Sequence, residues 1–418
     1  MKEKIARYIT EIHKKKKARK NLEFIEFLVW ILMLAASGIY FSLNFLKWLL
    51  YKKEILKPAR TGIFTVSVGN IKVGGTGKSP LVIRIASEFL KRSIKTAVIN
   101  RGYLGPSKKL NIISDGVSLK KDIGECSDEA FMEALALLGG VNRGLGGPLR
   151  EKSRSSGNYA TFGENKLSTL FGARVMTSKE RVDSIAYLES IDFEGVAVLD
   201  DAFQYYRLIK DVNIVVLDYN DPFSNGMTFP AGMLRDRLSR LSEADIVVIS
   251  KCPSPEAARG EKYARIISTL KKHGFSGEIY ASGITVTGAY SENAASLKSF
   301  NEFRGSRVFL FSAIADNASF FSSMQKRASE NGFELFCEGF LDHKDYSLNC
   351  QAEILKKARA LGADHIMTTF KDVVKLKKEI FSNFSLNSVS FDLWITEEDA
   401  LFSSLLYRRN LKMEAAEK

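Results

Sequence analysis

Residues 62–92 read GIFTVSVGNIKVGGTGKSPLVIRIASEFLKR. A β-branched apolar run (62–68) leads into a glycine-rich stretch, and an amphipathic pattern follows from Pro80. That order, strand then bare loop then helix, is the order of a phosphate-binding loop. Gly74, Gly75, Thr76 and Gly77 leave backbone amides free to wrap an anion. Lys78 is placed to reach β- and γ-phosphates and Ser79 to ligate Mg²⁺. The helix would aim its positive end at the phosphates, and Pro80 suits its first turn. The end of the pattern GxxxxGK[ST] is filled by Gly77, Lys78 and Ser79, while Lys72 stands at its first glycine. Nucleotide binding is the expectation.

Working outward, similar β-branched runs recur at 95–100, 195–200, 213–218 and 244–250, separated by helical patterns. Continuous apolar strands alternating with helices imply a mostly parallel sheet with helices on both faces, as in the P-loop NTPases. Later runs at 307–314, 333–340, 363–370 and 387–394 imply a smaller C-terminal α/β domain. The domains expected are 1–60, a basic and apolar membrane-anchoring segment; 61–275, a P-loop kinase core; and 276–418. Within the core, residues 139–171 are rich in Gly, Ser and Arg with little periodicity, and read as a long mobile insertion loop.

The first sixty residues differ from the rest. HKKKKARK (13–20) is a basic block, and FLVWILMLAASGIYFSLNFL (27–46) carries no charge. Its length is close to the roughly 20 residues of a membrane-spanning helix. Lysines flank it on both sides, so a span would put one cluster on the wrong face. The preferred expectation is a helix lying in the cytoplasmic leaflet with its lysines on anionic head groups; a single span stays open. The 418-residue chain has a net charge of +13, which favours an anionic partner. Its four scattered cysteines form no CxxC pair, which argues against a zinc site or a disulfide framework.

GVAVLDDAFQYYRL ends a buried-type run on Asp200 and Asp201. In P-loop enzymes an aspartate at a strand end holds Mg²⁺ directly or through water. The competing reading, capping of the next turn, fits one of the two.

An ordered series of motifs runs from residue 62 to 376: VGNIKVGGTGKSP (68–80), NRGY (100–103), CSDEA (126–130), LDDAFQYYRL (199–208), FPAGMLRDRLSRLSEADIVVISK (229–251), DHKDYS (342–347) and TTFKDVVKL (368–376). In this series the chain resembles the tetraacyldisaccharide 4'-kinases, the lipid A 4'-kinases of Gram-negative bacteria. That family also lacks the first loop glycine and carries an N-terminal apolar helix. It usually has Gly at Ala202, His at Tyr205, Glu at Asp236 and Ser at Asn100.

The resemblance implies transfer of a phosphoryl group from ATP, with Mg²⁺, to the 4'-hydroxyl of the lipid A disaccharide precursor. It implies a monomer on the cytoplasmic face of the inner membrane, with an anionic membrane surface and no nucleic acid as partner. By the same resemblance, Asp128 is the catalytic aspartate and His343 the histidine that supports it. From the residues alone, the favoured readings are a helix N-cap for Asp128 and a loop histidine with no role for His343. Arg101 and Tyr103, just past a strand end, are candidates for the disaccharide. Arg235 is a candidate for neutralising phosphate and Asp236 for assisting Mg²⁺. Lys371 and Asp372 read as structural or inter-domain.

The main rival is a membrane-associated ParA/MinD-type ATPase switch, but such loops place a lysine immediately before GGxGK, where this chain has Val73. A GTPase switch would want an acid where SKCP (250–253) has Pro253. No recognised nucleic-acid motif accompanies the positive charge.

Overall fold

A computed structural model of the chain describes residues 24–103, 105–138, 172–291, 297–342 and 344–417. The basic block at 13–20, the 139–171 segment and His343 lie outside them. The opening stretch forms strand β1 (Phe64–Gly69), buried throughout, and helix α2 (Lys78–Lys91). α2 buries Leu81, Val82, Ile85, Ala86 and Phe89, the stripe its spacing calls for.

Two compact units make up the chain. The first comprises Met1–Lys78, Asp201–Gly283 and Ile395–Lys418. Its strands are β1, β6 (Val212–Asp218), β7 (Ile246–Ser250) and the start of β8 (Glu278–Ser291). They pair in parallel, Val66 opposite Val212, Ile214 opposite Ile246 and Val247 opposite Ile279. β-Branched residues dominate β6 and β7 because both faces of a parallel sheet are covered. The C-terminal helix α9 (Glu398–Glu417) ties down the amino ends of these strands. Its Lys412 ammonium donates to Thr61 O, Ile63 O and Asp211 Oδ2, each at 2.9 Å. Arg408 reaches Asp245 at 3.1 Å and Glu278 at 3.2 Å. The carboxyl ends of the strands, where open α/β sheets take ligands, are therefore left to loops.

The N-terminal helix α1 (Phe24–Lys52) belongs to this unit. Trp30 and Met33 pack with Ala231. The Ser37 hydroxyl donates to Thr228 O at 2.8 Å, and Trp48 Nε1 donates to Glu243 at 2.8 Å. The Arg237 guanidinium lies 4.2 Å from the Trp48 ring centre. Contacts thus run along the helix, while Phe24, Ile25, Leu32, Ile39 and Leu43 stay exposed.

The second unit comprises Ser79–Asp200 and Ile284–Trp394. In it β2 (Thr96–Asn100) lies between β5 (Val196–Asp200) and β4 (Arg174–Thr177), all parallel, and β3 (Asn111–Asp115) runs antiparallel to β4. A further parallel set follows the order β11 (Glu334–Gly339), β10 (Arg307–Ser312), β12 (His365–Thr369), β13 (Ser385–Ile395). β10 alternates, Phe309 and Phe311 into one core and Val308 and Leu310 into another. Met132 and Leu135 of helix α3 (Asp128–Leu138) pack on the first of these cores, which joins CSDEA to the later part of the sequence.

The runs expected as strands from sequence all form. β3, β4 and β8 were not anticipated. β3 is short, partly exposed and polar at both ends, and β4 spans only four residues. β8 mixes buried and exposed positions without a regular period and has glycine and alanine at buried positions, which weakens any pattern.

Candidate active site

Within the first unit, the phosphate loop is held by its surroundings rather than by itself. Asn70 Nδ2 donates to Thr76 Oγ1 at 3.0 Å, and Ser250 Oγ, at the end of β7, donates to Thr76 O at 2.6 Å. The Val73 amide donates to Met233 O and the Arg235 amide to Ile71 O, both at 2.7 Å. Gly74 and Gly77 take φ of 109° and 77°, a region open to glycine, and Gly74 and Gly75 face solvent. Such a cradle presents amides to an anion without having to reorganise.

The turn after β5 closes against this loop. A Cβ on Gly69 would stand 2.5 Å from Phe203 Cβ, so only glycine lets the 201–204 turn approach β1 so closely. Gln204 Nε2 donates to Asn70 O at 2.7 Å, completing the seam. Asp201, at φ 50°, is turned to two cations. Arg235 Nη1 donates to both its carboxylate oxygens at 2.8 Å, and Lys78 Nζ stands 3.4 Å from Oδ1. All three side chains keep part of their surface open. Two positive groups and one carboxylate beside an amide-lined loop suit a polyphosphate and a hard cation.

Asp236, next to Arg235, has other partners. Its Oδ2 accepts from Tyr206 OH at 3.0 Å and from Arg240 Nε at 3.3 Å, and its Oδ1 accepts from the Arg237 amide at 2.9 Å. Burial and that carboxylate push the Tyr206 phenol well above its usual range. Of the departures at LDDAFQYYRL, Ala202 is fully buried, while the Tyr205 carbonyl accepts from Lys210 at 2.8 Å.

The second unit holds a different pair of groups. Asp200 is buried; Asn100 Nδ2 donates to its Oδ2 at 3.2 Å, and Arg181 donates to its carbonyl at 3.1 Å. Asn100 Oδ1 accepts from the Gly102 amide at 2.8 Å, which shapes the NRGY turn, where Arg101 and Tyr103 are exposed. The neighbouring residues Asp200 and Asp201 therefore divide: one buried on an amide, the other open beside cations. Among the described residues no cluster of three or more His, Cys, Asp or Glu is arranged for a metal ion.

Glu133 was not singled out from sequence. It sits wholly inside on α3, and neither carboxylate oxygen meets hydrogen-bond geometry with a described residue. Burial, then the Asp200 charge, pushes its carboxyl up, and Asn100 opposes the shift. A raised carboxyl keeps its proton when folded but loses it when unfolded. Its contribution to stability is therefore present below the unfolded pKa and lost as pH rises through the folded one. Glu133→Gln should leave stability at pH 5 nearly unchanged and raise it at pH 8 by about 1–3 kcal/mol. Melting curves at the two pH values check this, and equal shifts at both would contradict it.

Asp128 opens α3 and lies in its first turn, where a carboxylate is favoured by the helix dipole. Lys375, from TTFKDVVKL, donates its ammonium to the Asp128 carboxylate. The preceding Cys126 thiol is pushed up to about 12, first by burial and then by nearby acids including Asp128. Lys375 also escaped the sequence reading: its partner is 247 residues away, and only its spacing of four from Lys371 hinted at a shared face.

Comparison with known proteins gives the family. The family model for tetraacyldisaccharide-1-P 4'-kinase matches residues 29–137 and 137–410. A tetraacyldisaccharide 4'-kinase of Pelobacter propionicus is 31% identical over 351 residues, 82% of each chain. One from Halothermothrix orenii is 30% identical over 368 residues, 85% of each chain. A crystal structure of the "apo" form of LpxK from Aquifex aeolicus in complex with ATP superposes with a TM-score of 0.65. It covers 91% of this chain and 99% of its own, and at 23% identity the likeness is one of fold. With its parallel strands, its phosphate loop and these matches over most of its length, the chain belongs to the tetraacyldisaccharide-1-P 4'-kinase family.

Proposed function

We propose that the chain transfers the γ-phosphoryl group of ATP to the 4'-hydroxyl of a tetraacyldisaccharide 1-phosphate at a membrane surface. Family membership supports the reaction. The observation that carries it to this chain's own residues is the convergence of Lys78 and Arg235 on Asp201 beside the glycine loop. Lys78 neutralises the β- and γ-oxygens, and the loop amides fix them in line. Arg235 holds Asp201 and offers charge to the transferring group. Ser79 and Asp201 are the residues that would hold Mg²⁺, which neutralises developing charge on the phosphates. Asp128 takes the proton of the sugar hydroxyl as its oxygen bonds to phosphorus and the bond to ADP breaks. His343, in the DHKDYS loop, supports that base. Arg101 and Tyr103, exposed past the end of β2, contact the disaccharide.

Labelled ATP with the lipid should move label to the lipid. With lipid left out, ADP formation should stay near background. Lipid-independent hydrolysis with no labelled lipid would favour the ATPase-switch reading and sink this one.

Helix α1 would carry the membrane contact on the cytoplasmic face. Its contacts with the 228–243 segment run from Trp30 to Trp48, so the helix lies along its own unit and its open face is free to sink into head groups. Leu32 and Leu43 are 70% and 64% exposed. Replacing both by Glu removes about 1.5–3 kcal/mol of apolar burial each, and should weaken binding to anionic vesicles at least ~tenfold. The melting temperature should not fall. Unchanged sedimentation with vesicles would remove this face from the membrane.

A further inference from the structure

The segment 368–376 turns off the end of β12 into a single helical turn, α8 (Phe370–Val373). Asp372 is fully buried there; its Oδ2 accepts from Thr369 Oγ1 at 2.6 Å and from the Ala313 amide at 3.1 Å. Those bonds pin the turn to the end of β10. The Lys375 amide then donates to Asp372 O at 3.0 Å. From this fixed base two lysines four residues apart reach out. Lys371 Nζ donates to Asp342 Oδ1 at 2.7 Å. Lys375 Nζ donates to Lys344 O at 3.4 Å and to the Asp128 carboxylate. Asp342 and Lys344 stand on either side of His343 in the chain.

The Lys375 side chain is only 10% exposed, unlike a solvated surface lysine. An ammonium withdrawn from water needs an anion, and here the anion is Asp128. α3 packs Met132 and Leu135 on the same core that α8 completes with Phe370 and Val373. The two halves of the pair are thus held by one packed body, and their meeting does not depend on a flexible arm.

We propose that Lys375 is a positioning residue for phosphoryl transfer: from its anchored turn it holds the Asp128 carboxylate as an anion in one orientation, and joins it to the Lys344 carbonyl. The proposal rests on Asp128 as the base. The charged and titratable groups on the surrounding described elements are Glu125, Cys126 and Glu129 next to Asp128, then Asp342, Lys344 and Asp345, and Lys371 and Asp372 on the turn. Cys126 stays neutral through the working range. A cation beside a carboxylate favours its ionised form, so removing Lys375 raises the pH at which Asp128 deprotonates.

Lys375→Met should lower kcat about tenfold or more and leave the KM for ATP nearly unchanged. It should also move the acid limb of kcat/KM to higher pH by about one unit. Lys375→Arg should restore much of both. In an Asp128→Asn background, Lys375→Met should add little further loss, since residues acting as a unit are non-additive. Carbon NMR of the Asp128 carboxyl in the full chain reads the same titration without activity. A Lys375→Met enzyme with an unmoved acid limb and an unmoved Asp128 titration, whatever its melting temperature, would overturn the proposal. If the wild type fails to phosphorylate lipid while the Asp128 titration still shifts in Lys375→Met, the ion pair stands, but its role in phosphoryl transfer falls with the functional reading.

Discussion

Lys78→Ala should abolish measurable lipid phosphorylation, with a loss of at least 10²–10³-fold in kcat, or about 3–4 kcal/mol of transition-state stabilisation. Lys78 closes the phosphate loop, and its ammonium faces the same carboxylate as Arg235. It helps to balance Asp201; in the proposed mechanism it also meets the charge growing on the β–γ bridge as the phosphoryl group leaves ADP. The variant keeps Arg235 on Asp201, so the loop should fold and the melting temperature should move little. Steady-state turnover with a fluorescent nucleotide titration separates the two effects. Near-normal turnover would mean that residues 70–79 bind something other than the transferred phosphate.

Asp128→Asn should lower kcat by roughly 10²–10⁴-fold while ATP binds as before, because a general base acts only as the proton moves. Asn is isosteric and still offers Lys375 an oxygen, so the start of α3 keeps its shape. As a first-turn anion alone, Asp128 would contribute only about 0.3–1 kcal/mol of stability and nothing to rate. A lower melting temperature with an unchanged rate would therefore reduce Asp128 to a helix-end residue.

The sheet was legible because parallel strands covered on both faces must be continuously apolar, as in VAVLD at β5 and VNIVVLD at β6. Edge and interrupted strands carry no such signal, which hid β3 and β8. The bare glycine loop between β1 and α2 was legible from glycine and lysine spacing alone. The pair Asp200–Asp201 was legible as a pair, but not the division of its surroundings. That division follows from a left-handed backbone at Asp201 and from Asn100, two features that neighbouring residues do not encode. Packing of α3 brings Lys375 to Asp128 and sets the buried Glu133 under the charge of Asp200, across separations that no local pattern can span. The apolar helix was legible as membrane-seeking; its seat on residues 228–243 depends on Trp48, Ser37 and Tyr40 finding polar partners almost 200 positions away.

The most direct test of the central claim is the fate and position of the transferred phosphate. The full-length chain is incubated in vesicles with ATP, Mg²⁺ and the tetraacyldisaccharide 1-phosphate. ADP is counted against phosphorylated lipid, and the product is read by phosphorus–proton NMR. Our account predicts one ADP for each lipid phosphorylated, with the new phosphate on the 4'-oxygen. ADP released at the same rate with and without lipid, with the phosphate recovered as inorganic phosphate, would contradict it.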